Sequence, residues 1–172
     1  VLKTFCFSRF LNFSTIFAHR VSNPQRFGVI KFDNNFNPLE IIEKPTYDVS
    51  EYAVTGIYFY DNKVINYAER LTPSKRNELE ITDINKTYLD ASNLNVQILG
   101  TGIAWLDTGT VDSLQEAGTF IRTLERRQGL KIGSPEEAAW RNKFISDNDL
   151  IKLAKEISKS SYGSYLINLI KC

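Results

Sequence analysis

At 172 residues, with 42% hydrophobic and 24% charged side chains, the chain has the size and composition of one compact globular domain or a large piece of one. Lys and Arg total 21 against 20 Asp and Glu, a formal net charge of +1, so there is no basic stripe of the kind that neutralises a nucleic-acid backbone and no acidic tail. Cys6 and Cys172 lie at opposite ends, which argues against a disulfide framework or metal knuckle and for a reducing, cytoplasmic setting.

The chain has no Met, begins at Val1, and places five of its eleven Phe in residues 1–17. Lys3 and Arg9 interrupt that apolar run, which is too short and too charged to span a membrane and ends in no small-residue cleavage site. Residues 1–13 read as an anomalous N-terminal segment. From Thr15 the pattern is β. Thr15–Val21 alternates, Ser22-Asn23-Pro24 turns the chain, and Gly28–Asp33 is a β-branched run. A turn over 34–38 and a return strand Leu39–Lys44 complete a hairpin that Pro45 stops. Tyr52–Tyr60 is a long aromatic strand with Gly56 in its middle.

Asp61 is placed to cap a helix running to Leu71, and Thr82 to cap a second to about Ala91. Leu94–Leu99 and Ile103–Leu106 read as two strands joined at Gly100-Thr101-Gly102. Thr110 opens a helix whose buried stripe is expected to be Val111, Leu114, Ala117, Ile121 and Leu124. Ser134-Pro135-Glu136-Glu137 has the form of a capping box, Asp147 is placed to cap the next helix, and Tyr162–Lys171 is a last one. The whole is a mixed α/β domain with a helical tail.

His19 is the only histidine, so a His-based triad or His-rich metal site would rest on it alone; in its strand-like run it reads as a partly exposed strand residue. Chemistry therefore falls to other side chains. Glu43-Lys44-Pro45 sets opposite charges at a strand end, where alternation sends them to opposite faces. This is either a solvated strand end or a Lys for a phosphate beside a Glu for sugar hydroxyls. Val54-Thr55-Gly56 is either a β-bulge or a place where a ligand meets bare backbone. Arg76 could fork onto phosphate oxygens. Glu78, Glu80 and Asp83 could bind hydroxyls or favour a helix start. Trp105 could stack on a sugar or fill the core. Asp107, at the carboxyl end of an apolar run and followed by Thr108-Gly109 and a helix, stands where open α/β sheets form ligand crevices. Buried flanks would oblige a metal, an Arg or a helix N-terminus to compensate its charge.

The order of these elements, including Arg26-Phe27-Gly28-Val29, Glu43-Lys44-Pro45, Tyr52–Gly56, Arg76–Asp83 and Ala104–Thr110, resembles the bacterial glucose-1-phosphate thymidylyltransferases, also called dTDP-glucose pyrophosphorylases. The likeness runs from about Ser14 to the C-terminus and takes in 124–131 and 134–137. It implies an α/β, three-layer, Rossmann-like nucleotide-diphospho-sugar transferase fold with a C-terminal helical region. It also implies the joining of glucose 1-phosphate to dTTP with Mg²⁺, as the first step toward dTDP-rhamnose. The attacking phosphate oxygen is already ionised, so such a site needs positioning and charge neutralisation rather than a general base.

By the same resemblance Lys44 holds the sugar's phosphate and Glu43 its hydroxyls. Gly28, Val54, Gly56 and Tyr58 line the glucose pocket, Arg76 contacts a phosphate, Trp105 forms a wall, and Asp107 is the second metal-ligand carboxylate. Phe27 stands where the family commonly has Tyr. The tail implies oligomer contacts, a tetramer in the family, and a regulatory nucleotide site to which Glu137 and Arg141 correspond; Thr101 replaces a familiar Arg there. Residues 14–133 then form the sugar-phosphate part and 134–172 the oligomerisation and regulatory part. No glycine-rich phosphate loop occurs in the sequence, so the chain reads as the sugar-binding, C-terminal half of such an enzyme without the nucleotide-binding half, and is expected to be inactive alone. A non-enzymatic remnant acting through oligomer contacts, or a related UTP- or CTP-using transferase, are the competing readings.

Overall fold

A computed structural model describes residues 14–171; the segment 1–13 and Cys172 lie outside the described residues. The chain divides into two units, Val1–Trp105 and Leu106–Cys172. The first is built on a five-stranded mixed sheet in the order β3–β2–β4–β1–β5. Its strands are β1 (Ser14–Arg20), β2 (Gly28–Phe32), β3 (Pro38–Glu43), β4 (Tyr52–Phe59) and β5 (Leu94–Ile98), with helices α1 (Lys63–Ala68) and α2 (Ile81–Asp90) before β5.

The expected hairpin is present. Glu43 pairs with Gly28 and Ile41 with Ile30 across antiparallel β2 and β3. Asp33 organises the turn by accepting from the Asn35 and Asn37 amides, both at 2.8 Å. A sheet that is parallel throughout is not what these residues form: β1 pairs in parallel with β5 but antiparallel with β4, and β2 is antiparallel to both its neighbours.

Three local readings are corrected. Residues 14–18 of β1 are buried without alternation, because β1 has a strand on each side and lies in the interior of the sheet. Ile103–Leu106 is not a strand. No ladder partner reaches it among the described residues; the Ile103 amide closes a turn on Gly100 O (3.0 Å) and its carbonyl faces His19. Helix α1 stops at Ala68 rather than Leu71, and Arg70 and Leu71 make only turn bonds. Asp61 still serves its start, since Oδ1 accepts from the Lys63 amide at 3.0 Å.

The sheet's core centres on Ile16, Ala18, Ile30 and Ile41, with Tyr52, Val54, Tyr58, Tyr60, Leu89, Leu94 and Val96 around it. A tyrosine ladder fastens α2 to the sheet. Tyr58 stacks on Tyr60 and Tyr60 on Tyr88, with centroids 5.8 and 5.3 Å apart. Tyr60 donates to Asn85 Oδ1 and Tyr88 to Asp61 Oδ1, both at 2.6 Å.

The second unit holds α3 (Val111–Gln128), α4 (Pro135–Arg141), α5 (Asp147–Glu156) and α6 (Ser161–Lys171). Thr110 caps α3 in a reciprocal box with Ser113, and Gly129 ends it in the left-handed conformation at φ 66°. The stripe expected to be buried on α3 is not: Val111 is 82% and Leu114 59% exposed, and Ala117 is its one buried member. The periodicity marks an apolar face, and no layer of described residues covers its first turns. Ser134 accepts from the Glu137 amide, but Glu137 does not reciprocate; its carboxylate takes Arg141 and Tyr165 instead. Ser146, not Asp147, caps α5. Leu150, Ala154 and Leu166 form this unit's core.

Two outcomes follow from this packing. A Cβ at Gly163, buried on α6, would lie 2.3 Å from Ile157 O. Alanine's gain of about 1 kcal/mol in helix propensity is outweighed by overpacking of about 1–3 kcal/mol, so Gly163→Ala is expected to lower the urea midpoint. Burial first, and then the hydrogen bond to Asp61, pushes the Tyr88 phenol up to about 12. The neutral phenol is thus favoured by folding: its stabilisation is full below about pH 10, where free tyrosine titrates, and fades as pH rises toward about 12. Far-ultraviolet dichroism is expected to collapse in that window together with the late part of the tyrosinate absorbance.

Candidate functional site

The first unit gathers a polar cluster around one carboxylate. Glu43 is the last residue of β3, half-buried, and opposite Gly28 at the start of β2. Its Oε2 accepts from Thr82 Oγ1 at 2.5 Å, and its Oε1 lies 3.7 Å from Arg76 Nη1. Thr82 is buried in the first turn of α2. The sequence marked it as a helix cap, but α2 begins at Ile81, and the Thr82 hydroxyl serves Glu43 instead. Its β-spaced distance from Glu43, 39 residues along the chain, left no local signal of this contact.

Gly28 sits under that bond. A Cβ there would stand 3.0 Å from Glu43 Oε2, 3.1 Å from Thr82 Oγ1 and 4.0 Å from a Val54 methyl. Gly28, Glu43, Val54 and Thr82 therefore share one small volume. Tyr58 belongs to the same neighbourhood: burial chiefly, with the Glu43 charge second, holds its phenol above the ordinary value. Gly56 lies where β1 and β4 slip register. Ile16 pairs with Tyr58 and Ala18 with Val54, so Thr55, Gly56 and Ile57 stand against Phe17 alone. The bulge reading is correct here, and Gly56 is exposed with nothing within 4 Å of where a Cβ would be.

Arg76 is exposed and tethered by carboxylates, with Nη2 2.6 Å from Glu78 and Nη1 3.6 Å from Glu80, besides Glu43. Its loop is ordered by Ser74, which donates to Glu80 Oε1 at 2.9 Å and accepts from the Arg76 amide. Asn77 takes the left-handed conformation at φ 59°. Asp83 pairs with Lys86 one turn on in α2 and stands apart from this cluster.

Lys44 follows Glu43 at φ 42°, its amide donating to Phe27 O at 3.0 Å. Its side chain is exposed and has no ion-pair partner among the described residues. The Phe27 ring meets Trp105 edge to face at 5.0 Å, which brings Trp105 to the Phe27–Gly28 end of the cluster. Asp107 belongs to the second unit. It is half-buried, and a Cβ at Gly109 would lie 3.4 Å from both its oxygens. Its flanks are not the buried strand expected: Leu106 is 39% exposed and the run is irregular. Among the described residues no group of three or more His, Cys, Asp or Glu gathers as a metal cage, and no helix is long and apolar enough to cross a membrane.

The Glu43–Thr82 bond makes a direct test. Thr82→Val keeps the shape but removes the donor, leaving a half-buried carboxylate short of one partner, and is expected to cost about 1–2 kcal/mol in urea unfolding. Gly28→Ala must push the same pair apart and is expected to cost at least as much; an unchanged midpoint for both would contradict the packing described.

With the geometry in hand, comparison with known proteins is informative. Residues 10–123 match the nucleotidyl transferase family. The chain is 51% identical to the glucose-1-phosphate thymidylyltransferase of Neisseria meningitidis over 158 residues, 92% of this chain and 55% of that protein. It is 52% identical to that of Mycolicibacterium smegmatis over 155 residues, 90% and 54% respectively. It thus spans about half the length of the curated relatives it matches. Among solved structures, a glucose-1-phosphate thymidylyltransferase from Bacillus anthracis in complex with sucrose superposes with a TM-score of 0.61 at 40% identity, over 74% of this chain and 48% of that one. The UTP-bound UGPase of Acinetobacter baumannii, 18% identical with a TM-score of 0.54, shares the fold. This α/β chain, with its mixed sheet and flanking helices, belongs to the nucleotidyl transferase family.

Proposed function

We propose that residues 14–133 are the sugar-phosphate-binding part of a glucose-1-phosphate thymidylyltransferase, which joins glucose 1-phosphate to dTTP and releases pyrophosphate. The observation that carries this is the Glu43 carboxylate held by Thr82 beside Gly28 and Val54, its charge felt by Tyr58, with Lys44 immediately after it. A carboxylate held by a hydroxyl and a guanidinium keeps lone pairs for further donors, which sugar hydroxyls supply. Glu43, Glu78 and Glu80 outnumber the single Arg76 they surround. That excess of negative charge disfavours a phosphate at Arg76 itself, so the sugar's hydroxyls face Glu43 and its phosphate goes to Lys44. Arg76 serves the site by steadying Glu43, and contacts phosphate only if it leaves Glu78. The fold gives no steric or conformational reason for glycine at Gly56, which suits a ligand lying against the β4 backbone. Trp105 walls the Phe27 side.

The family's reaction implies Mg²⁺. The donor set fits in part: Asp107 offers one carboxylate, and a Cβ at residue 109 would stand 3.4 Å from both its oxygens. Mg²⁺ is commonly held by one or two carboxylates plus phosphate oxygens and water. Bound there, the ion would neutralise charge on the phosphates. The attacking oxygen is an ionised phosphate oxygen, so no residue of this chain is required as a general base. Residues 134–172 are the oligomerisation part in this proposal, with a homotetramer as the expected assembly.

The test uses the 172-residue chain by titration calorimetry with glucose 1-phosphate. Binding is expected, with loss of about tenfold or more in affinity for Glu43→Ala and Lys44→Gly. Lys44→Gly is expected to leave the melting temperature unchanged or higher, because glycine adopts the φ of 42° without strain. Absence of binding by the unaltered chain, or wild-type affinity in both variants, overturns the reading. With dTTP and Mg²⁺ added, formation of dTDP-glucose by this chain would show that the triphosphate is also handled within it, contrary to expectation.

A further inference from the structure

His19 has a place in this arrangement that its sequence context does not reveal. It lies at the end of β1, where both ring nitrogens meet main-chain carbonyl oxygens: Nδ1 is 2.8 Å from Arg20 O and Nε2 is 3.0 Å from Ile103 O. Two residues beyond Ile103, the Trp105 ring lies 6.2 Å from the imidazole, tilted by 37°. The segment between β5 and Trp105 has few other ties. Leu99 donates to Ala18 O at 2.8 Å, Ile103 closes its turn on Gly100, and no strand pairing follows. Phe27 packs on Trp105 but offers no hydrogen bond to fix its height or rotation.

We propose that His19 is a positioning residue for Trp105, tying the Ile103–Trp105 segment to β1 through Nε2–H and packing on the indole beside it. The proposal rests on the reading of Trp105 as a wall of the sugar-phosphate pocket, but the hold on Trp105 is measurable by itself. With the proton on Nε2, the imidazole donates to Ile103 O and makes the tie.

The experiment uses the full chain carrying Trp140→Phe, so that Trp105 is its single tryptophan and is excited selectively. His19→Phe keeps an aromatic ring against the indole and removes the hydrogen bond; His19→Gln keeps a donor. In His19→Phe, Trp105 emission is expected to shift to longer wavelength and its anisotropy to fall, with glucose 1-phosphate binding weakened about five- to tenfold. His19→Gln is expected to recover most of both. Wild-type emission and affinity in His19→Phe overturn the proposal. Should His19→Phe fail to fold, His19→Leu is read in its place, and wild-type Trp105 emission and affinity in that chain overturn the proposal. If the His19 chain shows the Trp105 effects yet binds no glucose 1-phosphate, the positioning role stands and the pocket reading falls.

Discussion

The sheet unit's site depends on one short hydrogen bond, from the Thr82 hydroxyl to the Glu43 carboxylate. Its two ends come from a β-strand terminus and the first turn of a helix far along the chain, so the bond exists only if α2 docks on the sheet in one axial position. The tyrosine ladder supplies that constraint. Asn85, one turn after Thr82, takes the Tyr60 hydroxyl, and Tyr88, another turn on, gives its own hydroxyl to Asp61. Thr82, Asn85 and Tyr88 are all buried and spaced three residues apart, the spacing that puts them on one helix face. A single face of α2 therefore carries both the docking contacts and the group that holds Glu43.

Fixing Glu43 in turn fixes what its neighbours are allowed to be. A Cβ at residue 28 would fit only tightly, 3.0 and 3.1 Å from the carboxylate and hydroxyl oxygens. Tyr58 is held as a neutral phenol by burial and by the same charge. Arg76 compensates Glu43 only weakly at 3.7 Å because Glu78 holds it at 2.6 Å. A carboxylate so placed is partly satisfied and partly exposed, which is the condition for exchanging water for ligand hydroxyls without a large desolvation penalty.

Much of the fold was legible because periodicity reports which side of an element is apolar. The hairpin, the β4 strand, the Thr110 cap and the last helix were read from turn chemistry and alternation alone. What failed is informative in the same terms. Ile103–Leu106 has the residues of a strand but pairs with none among the described residues, and the stripe on α3 has the spacing of a core face but few described residues against it. Pattern names a face; partners are tertiary facts. The same limit hid Thr82, read as a cap because Thr before an apolar run usually is one, and the three carboxylates around Arg76, of which only Glu78 and Glu80 are neighbours in sequence. His19 is the partly exposed strand residue that its run implies, but two backbone carbonyls as partners leave no mark on side-chain pattern.

Lys44 shows how the local chain and the site are coupled. A non-glycine residue at φ 42° is costly, and the residue before a proline is ordinarily driven to extended backbone. Neither the Lys44 amide bond to Phe27 O nor burial of Pro45 requires a lysine there, and a glycine would satisfy the turn at less strain. Strain of about 1–3 kcal/mol carried by a residue that the turn does not need points to use of its side chain. The turn ends β3 directly after Glu43, so a carboxylate at the strand's last pairing position and an ammonium at the first residue beyond it are fixed by one backbone geometry. An acid and a base so joined cannot be moved independently, which sets the separation between the two groups that the proposal assigns to the sugar hydroxyls and the phosphate.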